Sequence, residues 1–228
     1  MSWAVVTGAS RGIGRAIAID LAKRGLDLAL FGPHHDALGL VKNEIVSIGR
    51  SVGTYLCDVR DAAHLGAAAA EAIAHFRGAP QVVVANAGIV RRALVHEMRE
   101  EEWDEVVDVN LKGTFLTTRA FLPKMIDAGR GRIVAIGSIS ATVGTARQSA
   151  YCAAKWGTVG FVKSLAEELR GTGLQAMCVM PGSVDTDMLK GSGFDPAMQA
   201  EDVARTVTFL ALDAPDAMNG SSVEMFGP

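Results

Sequence analysis

The sequence predicts an α/β fold: a doubly wound parallel sheet of about seven strands, flanked by helices on both faces. Three observations carry this prediction. Short apolar runs alternate with longer helix-like segments along all 228 residues. The runs are continuously apolar rather than alternating, the pattern of strands buried on both faces of a parallel sheet by crossover helices. A glycine-rich stretch stands between the first run and the first helical segment, and folds of this kind bind ligands outside the carboxyl ends of their strands.

In order, Trp3–Thr7 (WAVVT) reads as the first buried strand, and GIGRAIAIDLAKRG follows with apolar residues at helical spacing. Residues 27–31 (DLALF) form a second strand and residues 37–48 a helix. Residues 51–56 (SVGTYL) give a third strand, before an alanine-rich helix over 61–76 for which Asp61 is the better cap. QVVVANAG opens with a fourth strand, and residues 100–127 read as one helix. RIVAIGS is a fifth strand, 149–170 a helix, LQAMCVM a sixth strand, 199–212 a helix, and SSVEMF a short closing strand. No proline- or serine-rich linker, low-complexity tract or tandem repeat interrupts the series, so one domain over 1–228 is expected.

Composition excludes several classes. A hydrophobic fraction of 49% with 21% charged residues argues for a packed globule and against disorder. A net charge of −3 gives no general reason to bind nucleic acid or membranes. Cys57, Cys152 and Cys178 have no framework spacing and fit free thiols in a reducing compartment. His34 and His35 lack partners at ligand spacing, so no metal is expected. The apolar run at the start is too short for a signal peptide or a membrane span, and a cytoplasmic protein is expected.

The stretch TGASRGIG, Thr7 to Gly14, joins strand to helix. Its glycines allow a tight turn and close backbone approach, and the helix beginning near Gly12 directs unpaired N–H groups at an anion such as a phosphate. Further along, YCAAK places Tyr151 and Lys155 one helical turn apart on one face.

These residues resemble the short-chain dehydrogenase/reductase family over essentially the whole chain. TGASRGIG is similar to the family's cofactor turn, which implicates Gly8, Ser10, Arg11, Gly12, Ile13 and Gly14. CDV resembles the acidic segment after strand three that binds the adenine ring, implicating Asp58 and Val59. NAG resembles the motif ending strand four, with Asn86, Ala87 and Gly88. Asn110 in VDVNLKG, Ser138 in IVAIGSIS, and the Tyr151/Lys155 pair resemble the catalytic set. PGSVDT resembles the segment at the nicotinamide end, with Pro181, Gly182, Val184 and Thr186. The resemblance implies a Rossmann-type fold with a cofactor half over about 1–110 and a catalytic and substrate half over about 111–228.

It also implies hydride transfer between a nicotinamide cofactor and a carbonyl or secondary alcohol. The cofactor carries the redox chemistry, while the protein positions it and manages one proton and the developing charge. Tyr151 is then the general acid/base. A free phenol has a pKa near ~10, and the neighbouring Lys155 charge is expected to lower it. By the resemblance, Lys155 also binds the nicotinamide ribose, Ser138 donates to the substrate oxygen, and Asn110 holds a water that links Lys155 to solvent. Tyr151 and Lys155 also belong with the cofactor contacts.

Within the family the chain most resembles 3-oxoacyl-[acyl-carrier-protein] reductases. An acidic residue after strand two would favour NAD, and an arginine nearby NADP. Here FGPHHDAL offers Gly32 and Pro33 instead. Arg11 remains as a phosphate partner, which favours NADP(H) over NAD(H). Only residues 187–198 separate PGSVDT from the next helix, so an open mouth suited to a carrier-bound substrate is expected. Arg91 and Arg92 read as a solvated pair at a loop mouth. Lys124, Arg130 and Arg170 are expected near the entrance, where an acidic carrier would dock. A homotetramer or homodimer is expected, because relatives pair the two helices that carry Asn110 and Tyr151. The alternatives are an NAD-dependent dehydrogenase of a small secondary alcohol, an isomerase on the same fold, and a catalytically silent dinucleotide-binding sensor or scaffold.

Overall fold

The structure, a computed structural model, describes residues 2–228. Its strands are β1 (Trp3–Thr7), β2 (Asp27–Gly32), β3 (Val52–Leu56), β4 (Val82–Ala85), β5 (Gly131–Ile136), β6 (Leu174–Pro181) and β7 (Ser222–Met225). Its helices are α1 (Gly12–Lys23), α2 (His35–Ser47), α3 (Ala62–Phe76), α4 (Glu100–Val107), α5 (Gly113–Ala128), α6 (Ser149–Glu168) and α7 (Ala200–Leu212). The strands make one sheet in the order β3-β2-β1-β4-β5-β6-β7, and every pairing is parallel. The winding reverses between β1 and β4, so the loops leaving these two strands diverge and open a crevice at their carboxyl ends.

All residues of β1 and β2 are buried, as their unbroken apolar runs require. Successive side chains along each strand point to opposite faces. Val6, Leu30 and Val84 meet Ile17 and Leu21 of α1, Leu38 of α2 and Val203 of α7 on one face. Val5, Phe31 and Val83 meet Leu65 of α3, Phe121 of α5 and Val162 of α6 on the other. One charge is drawn into this framework. Asp27, at the start of β2, is buried and accepts from Arg50 at 2.7 Å and from the Ser51 N–H at 2.9 Å.

The largest departure from the expected elements lies between 100 and 127. The single helix read there is divided: Asp108–Lys112 runs as a π-helix between α4 and α5. Such a widened turn adds a residue without breaking the run of helical residues, so apolar spacing does not reveal it. Smaller differences are an α2 that starts at His35 rather than 37 and an α6 that ends at Glu168 rather than 170. Among the described residues no helix is long and apolar enough to cross a membrane.

Candidate active site

A cleft of about 1020 Å³ opens at the carboxyl ends of β1, β4, β5 and β6. Gly8, Ser10, Arg11, Gly12, Ile13 and Gly14 line it from the β1–α1 turn. Asp58 and Val59 line it after β3, and Asn86, Ala87 and Gly88 after β4. Ser138, Tyr151 and Lys155 form its floor near β5, with Pro181, Gly182, Val184 and Thr186 after β6. Asn110 stands behind this wall. A Cβ placed on Gly88 would lie 2.8 Å from its Oδ1 and 3.7 Å from Lys155 Nζ, so the bare glycine backbone lets the two polar groups approach.

The glycine turn is built for close approach. Gly8 has φ +63°, a left-handed conformation that side chains disfavour. At Gly14 a Cβ would run into the Gly8 carbonyl oxygen. The turn is braced from β4: Thr7 Oγ1 accepts the N–H groups of Asn86 at 3.0 Å and Ala87 at 3.1 Å. In return the Asn86 side-chain amide donates to the carbonyls of Thr7 at 2.8 Å and Gly8 at 3.3 Å. Asn86 therefore shapes the turn with its side chain and meets the cleft beside it. Thr7 was not singled out from sequence, although it opens the glycine motif.

At the far end of the cleft, Asp58 is clamped by Arg60, whose guanidinium reaches it at 2.6–3.0 Å and whose N–H donates at 3.0 Å. These bonds hold the carboxyl below its usual pKa. Asp61, not Asp58, caps α3, accepting from the Ala63 and His64 N–H groups. Arg60 is a cleft residue that the sequence reading missed. Gly32, Pro33 and His34 complete this wall, and a Cβ on Gly32 would make only ordinary contact with Leu38 at 3.5 Å. Arg11 does not turn toward Gly32. Its Nη1 lies 3.6 Å from Asp187 Oδ2, beside the segment that follows Thr186.

At the floor, Tyr151 is 9% exposed and Lys155 3% exposed. Lys155 Nζ donates to the Ile136 carbonyl at 2.7 Å and stands 5.5 Å from the Tyr151 ring centroid. The expected electrostatic balance is corrected here. Burial pushes the phenol up to about 12, while hydrogen bonding with Ser138 works against that rise. Burial also brings Lys155 down to about 8. The enclosure that pairs the two groups strips water from both, and desolvation penalises phenolate and ammonium alike. Lys155 is thus not the leading influence on Tyr151 in this state. Ser138 Oγ accepts the Ser140 N–H at 3.1 Å, which leaves its O–H to donate on the Tyr151 side of the cleft. Asn110, fully buried in the π-helix, donates from Nδ2 to the Ile89 and Val106 carbonyls, both at 2.8 Å. Its Oδ1 is buried with no protein partner among the described residues.

Val184 and Met198 bridge in parallel, and Asp187, Met188, Leu189, Ser192 and Phe194 between them line the cleft. Arg91 pairs with Glu105 at 2.9 Å at the surface. Arg92 departs from the expected solvated pair: it is half-buried and donates to the carbonyls of Met188 at 2.8 Å and Lys190 at 3.4 Å. Lys124, Arg130 and Arg170 depart more. Arg130 lines a second cavity with Trp3, Gln81 and Gln175, at the amino ends of the strands. Lys124 lies near the carboxyl end of α5, and Arg170 follows the carboxyl end of α6. All three are at the opposite end of the sheet from this chain's own cleft, because each helix returns the chain to the start of the next strand.

The family model for short chain dehydrogenase matches residues 2–196. The 3-oxoacyl-[acyl-carrier-protein] reductase FabG of Escherichia coli is 34% identical, covering 98% of this chain and 95% of its own. The enzyme of the same name from Staphylococcus aureus is 35% identical, covering 98% and 96%. Among solved structures, levodione reductase superposes with a TM-score of 0.94 at 28% identity, covering 99% of this chain and 96% of that one. A short-chain type dehydrogenase/reductase from Mycobacterium marinum gives 0.94 at 28%, covering 99% and 94%.

Proposed function

This chain belongs to the short-chain dehydrogenase family, and from that premise we propose that it reduces a carbonyl to a secondary alcohol with NADP(H), Tyr151 being the general acid/base. The single observation that carries the reading is the convergence of Ser138, Tyr151 and Lys155 at the floor of one cleft whose other end is the glycine turn.

The residues fit a nicotinamide dinucleotide. The turn offers bare backbone at the amino end of α1, where N–H groups receive a pyrophosphate. Asp58 and Val59 would flank the adenine end, and Lys155 would hold the nicotinamide ribose. The cofactor supplies the hydride. The protein supplies the rest. Ser138 O–H and Tyr151 O–H converge on the substrate oxygen and stabilise the negative charge that grows there. A phenol pushed up to about 12 stays protonated at neutral pH, the state a proton donor needs. Lys155, brought down to about 8, gains and loses protons near neutrality and is suited to recharge the phenol. Asn110 Oδ1, without a protein partner among the described residues, borders Gly88 as Lys155 Nζ does and would extend this route.

The finer reading is a 3-oxoacyl-[acyl-carrier-protein] reductase or a similar carbonyl reductase, as in the named relatives. NADP(H) is favoured because Gly32 has no carboxylate to repel a ribose phosphate, and the weak exposed pair with Asp187 leaves Arg11 free to turn toward one. The enzyme would act in the cytoplasm as one domain per chain, in a homotetramer or homodimer. The test is oxidation of NADPH and NADH against simple ketones and 3-oxoacyl thioesters. No turnover of any carbonyl would overturn the reading, and better kcat/KM with NADH would overturn the cofactor choice.

A further inference from the structure

Four arginines line the cleft: Arg11, Arg60, Arg91 and Arg92. Three of them face a carboxylate: Arg11 meets Asp187, Arg60 meets Asp58, and Arg91 meets Glu105. Arg92 has no carboxylate within ion-pair distance among the described residues. Its two recorded bonds go to backbone carbonyls, those of Met188 and Lys190. A guanidinium has five N–H donors, so three remain. One of these, on Nε, is shielded from water with no acceptor among the described residues. A half-buried guanidinium with one shielded, unpaired N–H is under-satisfied, and an anionic oxygen is the partner that relieves it.

The backbone fixes where this charge sits. The Ala93 N–H donates to the Arg147 carbonyl at 3.0 Å, which docks the Arg92 loop on the loop that leads into α6. Arg147 itself is held at φ +64°. Arg92 therefore spans three cleft segments: its own loop after β4, the loop before Tyr151, and the segment after Thr186. Its charge also acts on the Tyr151 phenol, in the direction that favours the phenolate. The cleft that Arg92 lines also carries apolar side chains, among them Ile89, Val90, Val143, Met188, Leu189 and Phe194. A cation in such a cleft selects a substrate with one oxygen anchor on an otherwise apolar body.

We propose that Arg92 is the substrate-recognition residue of this cleft: its guanidinium takes a carboxyl-derived oxygen on the same molecule as the reacting carbonyl. That oxygen is the carboxylate of an oxo acid or the C=O of a 3-oxoacyl thioester. The inference rests on the carbonyl-reductase reading above. A planar fork suits both oxygens of a carboxylate, so the free acid is the stronger of the two ligands.

The experiment compares wild type with Arg92→Met and Arg92→Lys on three substrates: acetoacetate, S-acetoacetyl-N-acetylcysteamine and butanone. Arg92→Met is expected to lower kcat/KM about tenfold or more for acetoacetate, by a smaller factor for the thioester, and hardly at all for butanone, the scale of one charged hydrogen bond. Arg92→Lys should restore part of the loss on acetoacetate. An equal loss on all three substrates would make Arg92 only a strap for the 187–194 segment and overturn the proposal, as would unchanged activity on acetoacetate. If wild type reduces none of the three, the carbonyl-reductase reading fails, and calorimetric binding of malonate to the cofactor-free protein decides this one. Tenfold weaker malonate binding by Arg92→Met supports it; equal binding, or none by wild type, overturns it. The thermal midpoint of each variant checks that it is folded.

Discussion

Tyr151 and Lys155 carry opposite burdens from one cause. Burial holds the phenol protonated and makes the ammonium easier to deprotonate. Replacing Tyr151 with Phe keeps the ring and removes the proton donor. Turnover should fall on the order of a hundredfold or more while cofactor binding persists, as steady-state kinetics and fluorescence titration of NADPH would report. Lys155 yields a prediction that needs no substrate. Its ordinary value of 10.5 drops to about 8 in the fold. Between those values the unfolded chain binds more protons, so wild-type stability rises with pH across that window. Below about 8 the full penalty is present. Lys155→Met has no such penalty, so its stability relative to wild type should be greatest near pH 7. That difference should shrink by on the order of 3 kcal/mol toward pH 10.5, at ~1.4 kcal/mol per unit. Loss of the bond to the Ile136 carbonyl shifts both ends of this comparison equally. Denaturant melts at pH 7 and 10.5 giving the same difference would mean that Lys155 titrates normally.

At the scale of elements, the proposed cofactor choice rests on β2 and the turn after β1 together. The end of β2 accepts a side chain sterically, since a Cβ on Gly32 meets only Leu38 at ordinary distance. Gly32→Asp should therefore fold and shift preference toward NADH by offering a carboxylate to the ribose hydroxyls. Arg11→Ala should weaken NADPH binding by roughly 1–3 kcal/mol and leave NADH almost unchanged. Equal weakening of both, measured by titration, would leave Arg11 as the exposed partner of Asp187 and nothing more. These elements also mark what sequence could and could not disclose. WAVVT and DLALF were legible because burial on both faces leaves an apolar run in each, with Thr7 and Asp27 only at the strand ends. The glycine turn and the YCAAK pair were legible because their chemistry is local in sequence. The π-helix around Asn110 was not, because an inserted residue leaves helical composition intact. Arg92 was not, because two adjacent arginines have the same spacing whether they face water or a carbonyl from 96 residues away. The clamp of Arg60 on Asp58 joins residues two apart, yet no pattern said that it would face the cleft. The balance between Tyr151 and Lys155 was misjudged because spacing reports proximity and not the loss of water.

The whole molecule presents a further surface, and it bears on how a carrier would reach the cleft. Large apolar side chains stand exposed on α5 and α6: Phe115 at 41% and Trp156 at 55%, with Phe161 packed edge-on to Phe115. Exposed aromatics on adjoining helices mark an association face more often than a solvated one. Most homo-oligomers close about a twofold axis. A twofold perpendicular to α5 and α6 sets the carboxyl end of each helix beside the amino end of its copy. The amino end of α6 carries Tyr151, and Arg170 follows its carboxyl end. Arg130 and Arg170, remote from their own cleft, would then flank the cleft of the neighbouring copy. Assembly and carrier docking become one prediction. Arg130→Glu with Arg170→Glu should raise KM for a carrier-bound substrate and scarcely affect a small free thioester, since long-range attraction acts on encounter and weakens with salt. Phe115→Glu with Trp156→Glu should convert the protein to monomers at micromolar concentration in sedimentation. The monomer should lose the carrier advantage without any change to the arginines. A monomeric wild type would remove the assembly. A dimer whose carrier KM ignores both pairs of substitutions would keep the assembly and remove the docking.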